Sequence, residues 1–126
     1  MRIRVALVSA LLGLIVCSAA YSSPACDVLE AGNKLKDASK SLAAYKAIED
    51  IDKLGNDPCT GSVYATMATI YKMMGDKART DGNPENAMIY YKLSSLYNRA
   101  FAYAVLCHNG QCEMAKTFWA EKFWSE

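Results

Sequence analysis

The sequence predicts an all-α fold: a small antiparallel helical bundle stapled by disulfides. Three observations predict it. Beyond the opening twenty residues Ala, Lys, Leu, Met and Glu dominate, and no stretch alternates apolar and polar residues as a half-buried strand would. Apolar residues recur instead at three- and four-residue steps, the spacing of one helix face. Four cysteines, Cys26, Cys59, Cys107 and Cys112, follow the opening segment, an even number in a short chain.

The opening segment is "MRIRVALVSALLGLIVCSAAYSSPAC". Arg2 and Arg4 give it a positive start, and Val5 to Val16 form an apolar run. Small residues follow at Ser18, Ala19 and Ala20, which is the layout of an export signal. Residues 1–20 therefore read as a signal peptide, with cleavage after Ala20 the first choice and after Ala25 the second. The run falls short of the roughly 20 apolar residues that a stable transmembrane anchor needs. Ile15 and Val16 before Cys17 do not suit a lipoprotein signal. The chain is expected to be exported, either periplasmic or secreted, with residues 21–126 as a single helical domain. Without Arg2 and Arg4 the 14 basic and 13 acidic side chains become 12 and 13, so no basic excess draws the domain to nucleic acid.

The elements follow in order. Asp27 is positioned to cap a first helix, with Glu30 reaching back three residues later. That helix is expected to run to Leu54, with Leu35, Ala38, Leu42, Tyr45, Ile48, Ile51 and Leu54 along one face. Its length leaves room for a break near Gly32 or Ser39–Ser41. After the loop "GNDPCTG" a second helix over 62–74 carries Tyr64, Met67, Ala68, Tyr71 and Met74, and Gly75 is expected to end it. "DKARTDG" reads as a linker. Asn83 caps a third helix, with Pro84 at its first position and Glu85 in its first turn. Its stripe is Ile89, Leu93, Leu96, Ala100, Tyr103 and Cys107, with a break allowed at Asn98. "HNG" closes it. A last helix from Cys112 presents Met114, Ala115, Phe118, Trp119 and Phe123. Four or five helices with short connections make a bundle or a solenoid fragment.

Part of this pattern resembles the tetratricopeptide repeats. "YATMATIYKMMGD" places Tyr64, Met67, Ala68, Tyr71, Gly75 and Asp76 where that family's first helix has its large, small, tyrosine and glycine positions. Ala87 and Tyr91 match the small–aromatic pair of its second helix, and Ala115 and Trp119 repeat that pair near the end. The stretch from Asp76 to Ala87 is several residues longer than the family's turn, Ser94 stands at a usual alanine, and no 34-residue period runs through the chain. The resemblance covers residues 64–94, and 99–122 faintly. It implies a scaffold of paired antiparallel helices.

Four exported cysteines allow three pairings. The expected one joins Cys107 to Cys112 across "HNGQ" and leaves Cys26 for Cys59. Four residues between Cys107 and Cys112 are too many for a thioredoxin-type redox site, which uses two. Cys107, His108, Cys112 and Glu113 are zinc-type ligands, but an oxidising compartment competes for the thiols. His108, the single histidine, sits at a helix end beside no marked nucleophile. "DGNPE" begins like a calcium loop, but Asn86 and Lys92 stand where glycine and glutamate belong. Glu49, Asp50, Asp52 and Asp57 read as a solvated face. No catalytic residue, metal or cofactor is assigned.

Eight tyrosines and two tryptophans make aromatic surface the more informative feature. Adjacent Tyr90 and Tyr91 cannot both face one core, and Phe118, Trp119, Phe123 and Trp124 wrap around one helix. Tyr90, Tyr91, Trp119 and Trp124 are therefore the candidate partner-binding residues, for a protein partner or for self-association. The leading reading is an exported non-enzymatic protein-binding domain, such as an immunity-type inhibitor or an envelope adaptor. A small secreted enzyme or toxin with a site assembled from distant residues is one alternative. A structural homo-oligomer is another.

Overall fold

A computed structural model describes residues 23–51 and 55–118, with side chains as far as Lys116. Residues 1–20, read above as a signal peptide, Leu54, Trp119, Phe123 and Trp124, and the Phe118 side chain, lie outside the described residues. What is described is all-α: helices joined by short turns, with no strand among these residues.

The expected long first helix is three short ones. α1 spans Pro24–Asn33, α2 Ala38–Tyr45 and α3 Ile48–Ile51. The cap of α1 is Ser23, whose hydroxyl accepts from the Cys26 amide at 3.1 Å, with Pro24 following as the first helical residue. Asp27, the expected cap, sits in the first turn instead. Asp37 caps α2 by accepting from the Lys40 amide at 3.0 Å. The break falls between the two positions that the sequence offered. It is held by α2 folding back on α1. The Ser41 hydroxyl donates to the Gly32 carbonyl at 3.0 Å, and the Tyr45 ring lies against Gly32 where a Cβ would overlap it. The Tyr45 hydroxyl then donates to the Asn33 side chain. The fold-back buries Leu42, Tyr45 and Ile48 but leaves Leu35 and Ile51 of the predicted face exposed.

α4 spans Thr60–Thr80 and α5 Pro84–His108. Gly75 does not end α4. It lies buried inside the helix, where a Cβ would come within 2.7 Å of the Tyr91 ring. Two i,i+4 ion pairs, Lys72–Asp76 at 3.1 Å and Lys77–Asp81 at 2.9 Å, support the turns on either side of it. Most of the expected linker is thus helical, and the reversal is confined to Asp81–Asn83. Gly82 takes φ 81° there, and Asn83 caps α5 as the sequence predicts. α5 runs through Asn98 without a break.

α4 and α5 form a close antiparallel pair. Ser94 donates to the Ala68 carbonyl at 2.7 Å, Tyr91 covers Gly75, and Phe101 and Ala104 approach Gly61. Three tyrosine contacts run along the pair: Tyr64–Tyr97 at 6.0 Å, Tyr71–Tyr97 at 5.6 Å and Tyr71–Tyr90 at 6.4 Å between ring centroids. The main core joins this pair to the first three helices through Leu42, Tyr45, Ile48, Val63, Tyr64, Met67 and Tyr71. Burying each of the larger of these side chains stabilises by about 1.5–3 kcal/mol. A second cluster of Tyr103, Cys107 and Ala115 seats α6, Cys112–Phe118, on the end of α5. No described helix is long and apolar enough to cross a membrane.

Candidate functional site

The four cysteines pair as expected. Cys26 and Cys59 are joined with their Cα atoms 5.0 Å apart, and Cys107 and Cys112 with theirs 3.9 Å apart. Gly110 takes φ 87° in the turn between the second pair, as a chain leaving a helix end requires.

Both bridges converge on one loop, Gly55–Cys59. Gly55 takes φ 72° and is buried against α5, where a Cβ would come within 2.8 Å of the Ala104 Cα. The Asn56 carboxamide lies 3.3 Å from Cys107 Sγ and 3.5 Å from Cys112 Sγ. The facing atom is the carboxamide oxygen and disulfide sulfurs carry no proton, so these are close packing contacts and not hydrogen bonds. Asp57 brackets the other bridge. Its carboxylate accepts from the Ser23 hydroxyl at 2.9 Å, the Ala25 amide at 3.2 Å and the Cys59 amide at 2.9 Å. One five-residue loop therefore ties the start of α1, the start of α4 and the end of α5 together.

This geometry bears on the chemical alternatives. Cys26, Asp57 and Cys59 form a group with metal-ligand spacing, but both sulfurs are bonded to each other and neither is a thiolate. The same holds for Cys107 and Cys112 beside His108. A hollow of about 300 Å³ beside the loop is lined by Asp57, Ser62, Phe101, Val105 and His108. Its carboxylate is already engaged by three donors, and His108 is exposed at the end of α5. In "DGNPE", the Asn83 oxygen accepts from the Asn86 amide and acts as a helix cap.

Of the four aromatic candidates, the structure describes two, on opposite flanks of the hairpin. Tyr90 is half-buried and packs against the core beside Tyr71. Tyr91 is half-buried over Gly75, and its hydroxyl donates to Asp76. That hydrogen bond, together with the one from Lys72, holds the Asp76 carboxyl below its ordinary range, and it pushes the Tyr91 phenol up. Tyr97 is shifted further, first by burial and then by the Glu49 carboxylate, which accepts a hydrogen bond from its hydroxyl at 3.1 Å. It stays a donor across the whole physiological range. Trp119 and Trp124 lie outside the described residues. Tyr91 also edges a shallow groove of about 430 Å³ with Lys72, Ser95, Asn98 and Arg99.

The most exposed large apolar residues among those described are Met88 and Ile89 on α5, Met73 on α4 and Met114 on α6. On α5 the predicted stripe is graded along its length. Cys107, Tyr103 and Ala100 are buried, Leu96 and Leu93 are half-buried, and Ile89 is 54% exposed. Met88 beside it is 72% exposed. The periodicity predicts Ile89, Leu93, Leu96 and Ala100 mostly buried, and Ile89 departs from that. α6 packs on the C-terminal end of the stripe, whereas the first three helices pack mainly on α4, so the N-terminal half remains open. Sequence reasoning found the stripe but not its open half, because periodicity marks a face without saying what lies over it. Comparison with family models, curated proteins and solved structures finds no match to the chain.

Proposed function

We propose that the chain is an exported, non-enzymatic protein-binding domain that takes its partner, as an inhibitor or envelope adaptor would, along the open half of the α5 stripe. The single observation behind this reading is the run Met88, Ile89, Leu93 and Leu96, an apolar row continuous with the core at one end and open at the other. Ile89, Leu93 and Leu96 stand four and three residues apart, and such a row suits an apolar helix of a partner protein laid alongside it. Two disulfides joined through one loop support export, since cytosolic thiols are kept reduced. Ala68 and Gly75, two of the residues that carry the resemblance to tetratricopeptide repeats, lie against Ser94 and Tyr91 of α5.

The test is capture from the producer's envelope fraction with three baits: the native chain, Ile89→Asp and Lys92→Ala. A protein held stoichiometrically by the native chain and by Lys92→Ala, and lost by Ile89→Asp, supports the reading. Capture of the same proteins by all three baits would refute it. A native chain that elutes as a stable oligomer, dissociated by Ile89→Asp, would assign the row to a second copy instead.

A further inference from the structure

We infer that Asn109 is a site of spontaneous deamidation, and that the Cys107–Cys112 bridge holds the reaction back. Asn109–Gly110 is the chain's single Asn–Gly pair. In such a pair the amide nitrogen of the glycine attacks the side-chain carbonyl carbon of the asparagine, and the glycine has no side chain to hinder the approach. Both residues are exposed, so water and hydroxide reach them. Nothing lies within 4 Å of a Cβ built on Gly110, so no neighbour crowds the attacking residue. The step needs no oxidant or reductant. Base takes the Gly110 amide proton and the nitrogen bonds to Asn109 Cγ. The bond from Cγ to the side-chain nitrogen breaks, and ammonia leaves a five-membered imide behind. One water then opens the imide at either carbonyl, giving aspartate or its β-linked isomer.

Ring closure requires the Gly110 nitrogen to eclipse Asn109 Cβ about the Cα–C bond. The folded turn holds it elsewhere. With φ −90° and ψ 16° at Asn109, that nitrogen nearly eclipses the Asn109 nitrogen instead. Its hydrogen is engaged as well. The Gly110 amide donates to the Cys107 carbonyl at 3.0 Å, and the Gln111 amide to the Leu106 carbonyl at 2.9 Å. Rotating ψ to the attack position breaks both bonds and swings Gln111 and Cys112 away from the end of α5. The bridge opposes that swing, because Cys107 and Cys112 bracket the pair and are joined. A dithiol that opens the bridge, becoming a disulfide itself, frees the rotation. The product then hinders a full return. A carboxylate at the negative end of α5 is unfavourable, and the β-linked isomer puts an extra carbon into the turn that seats α6.

The experiment incubates three full chains at mildly alkaline pH: the native chain, Cys107→Ser/Cys112→Ser and Cys26→Ser/Cys59→Ser. The reduced chain in urea supplies the rate of an unrestrained pair. Peptide mass spectrometry follows loss of the Asn109 amide, and enzymatic methylation of isoaspartate identifies the β-linked product. The native chain and Cys26→Ser/Cys59→Ser should keep Asn109. Cys107→Ser/Cys112→Ser, still folded by circular dichroism, should lose it faster by on the order of tenfold or more, since a misplaced reacting atom slows an intramolecular step by at least that much. Equal rates in the native chain and Cys107→Ser/Cys112→Ser overturn the role of the bridge. Equal acceleration in the two variants, or a Cys107→Ser/Cys112→Ser chain that has unfolded, overturns it too, by assigning the effect to lost stability. An intact Asn109 in the reduced chain in urea overturns the site itself.

Discussion

Replacing Gly55 with alanine tests whether the Gly55–Cys59 loop locks the bundle. Gly55 meets two demands at once. Its φ of 72° lies in the left-handed region, where an L side chain costs about 1–2 kcal/mol. Its missing Cβ also leaves room for the Ala104 backbone, which an added Cβ would approach to 2.8 Å. Backbone cannot swing aside as the end of a side chain can, so overpacking there adds about 1–3 kcal/mol. Gly82 separates the two effects. Its φ is 81°, and nothing lies within 4 Å of a Cβ built on it. Gly82→Ala should therefore cost only the conformational part, about 1 kcal/mol after the gain from a stiffer unfolded chain. Gly55→Ala should cost about 2–4 kcal/mol. Each kcal/mol lowers the melting point of a domain this size by roughly 4–8 °C, so paired thermal melts followed by circular dichroism resolve the difference. Equal losses at the two glycines would mean that the loop is not packed against α5, and the coupling between the bridges would fall with it.

Other consequences are as direct. Ring-closure entropy gives about 4 kcal/mol for the Cys26–Cys59 bridge, with its sequence separation of 33, and about 2 kcal/mol for Cys107–Cys112, with a separation of 5. Denaturant melts of the two double-serine variants should rank in that order, and the second variant should stay folded with a looser α6. Leu93→Ala should cost about 1–2 kcal/mol, below the range for a fully buried leucine because Leu93 is half-buried, while Lys92→Ala should cost little. Tyr91→Phe removes the donor that lowers the Asp76 carboxyl. A carboxyl held low contributes stability above its ordinary range and loses it as the pH falls through the lowered value. The native chain should therefore exceed Tyr91→Phe in stability near neutral pH, with the gap closing in acid; a gap that widens in acid would reverse the assignment.

Much of this architecture is legible in the sequence, and the misses have physical causes. Asn83 and Pro84 mark the start of α5 because a side-chain acceptor followed by proline satisfies a helix start in two ways at once. Ser23 and Pro24 are the same signal, but they stand where a leader's cleavage site reads equally well. The short spacing of Cys107 and Cys112 favours the observed pairing among three without fixing it, and the convergence on Asn56 and Asp57 needs the fold, since those residues read as ordinary loop polars. Gly75 looks like a stop signal because glycine is intrinsically poor in a helix. The Tyr91 ring occupies the space its missing side chain leaves, and tertiary contact overrides propensity. The break after α1 depends on Tyr45 and Ser41 reaching back to Gly32, contacts that local periodicity does not encode. The α5 stripe is correct in phase, but its open half is set by how far the neighbouring helices extend.

The central claim is that this open half receives a partner, and methyl-labelled spectra of the captured complex test it most directly. Ile48, buried in the main core, serves as the internal control. On adding the partner, the methyl signals of Ile89, Leu93 and Leu96 should shift or broaden while that of Ile48 stays in place. A complex that forms with those three signals unmoved would contradict the account.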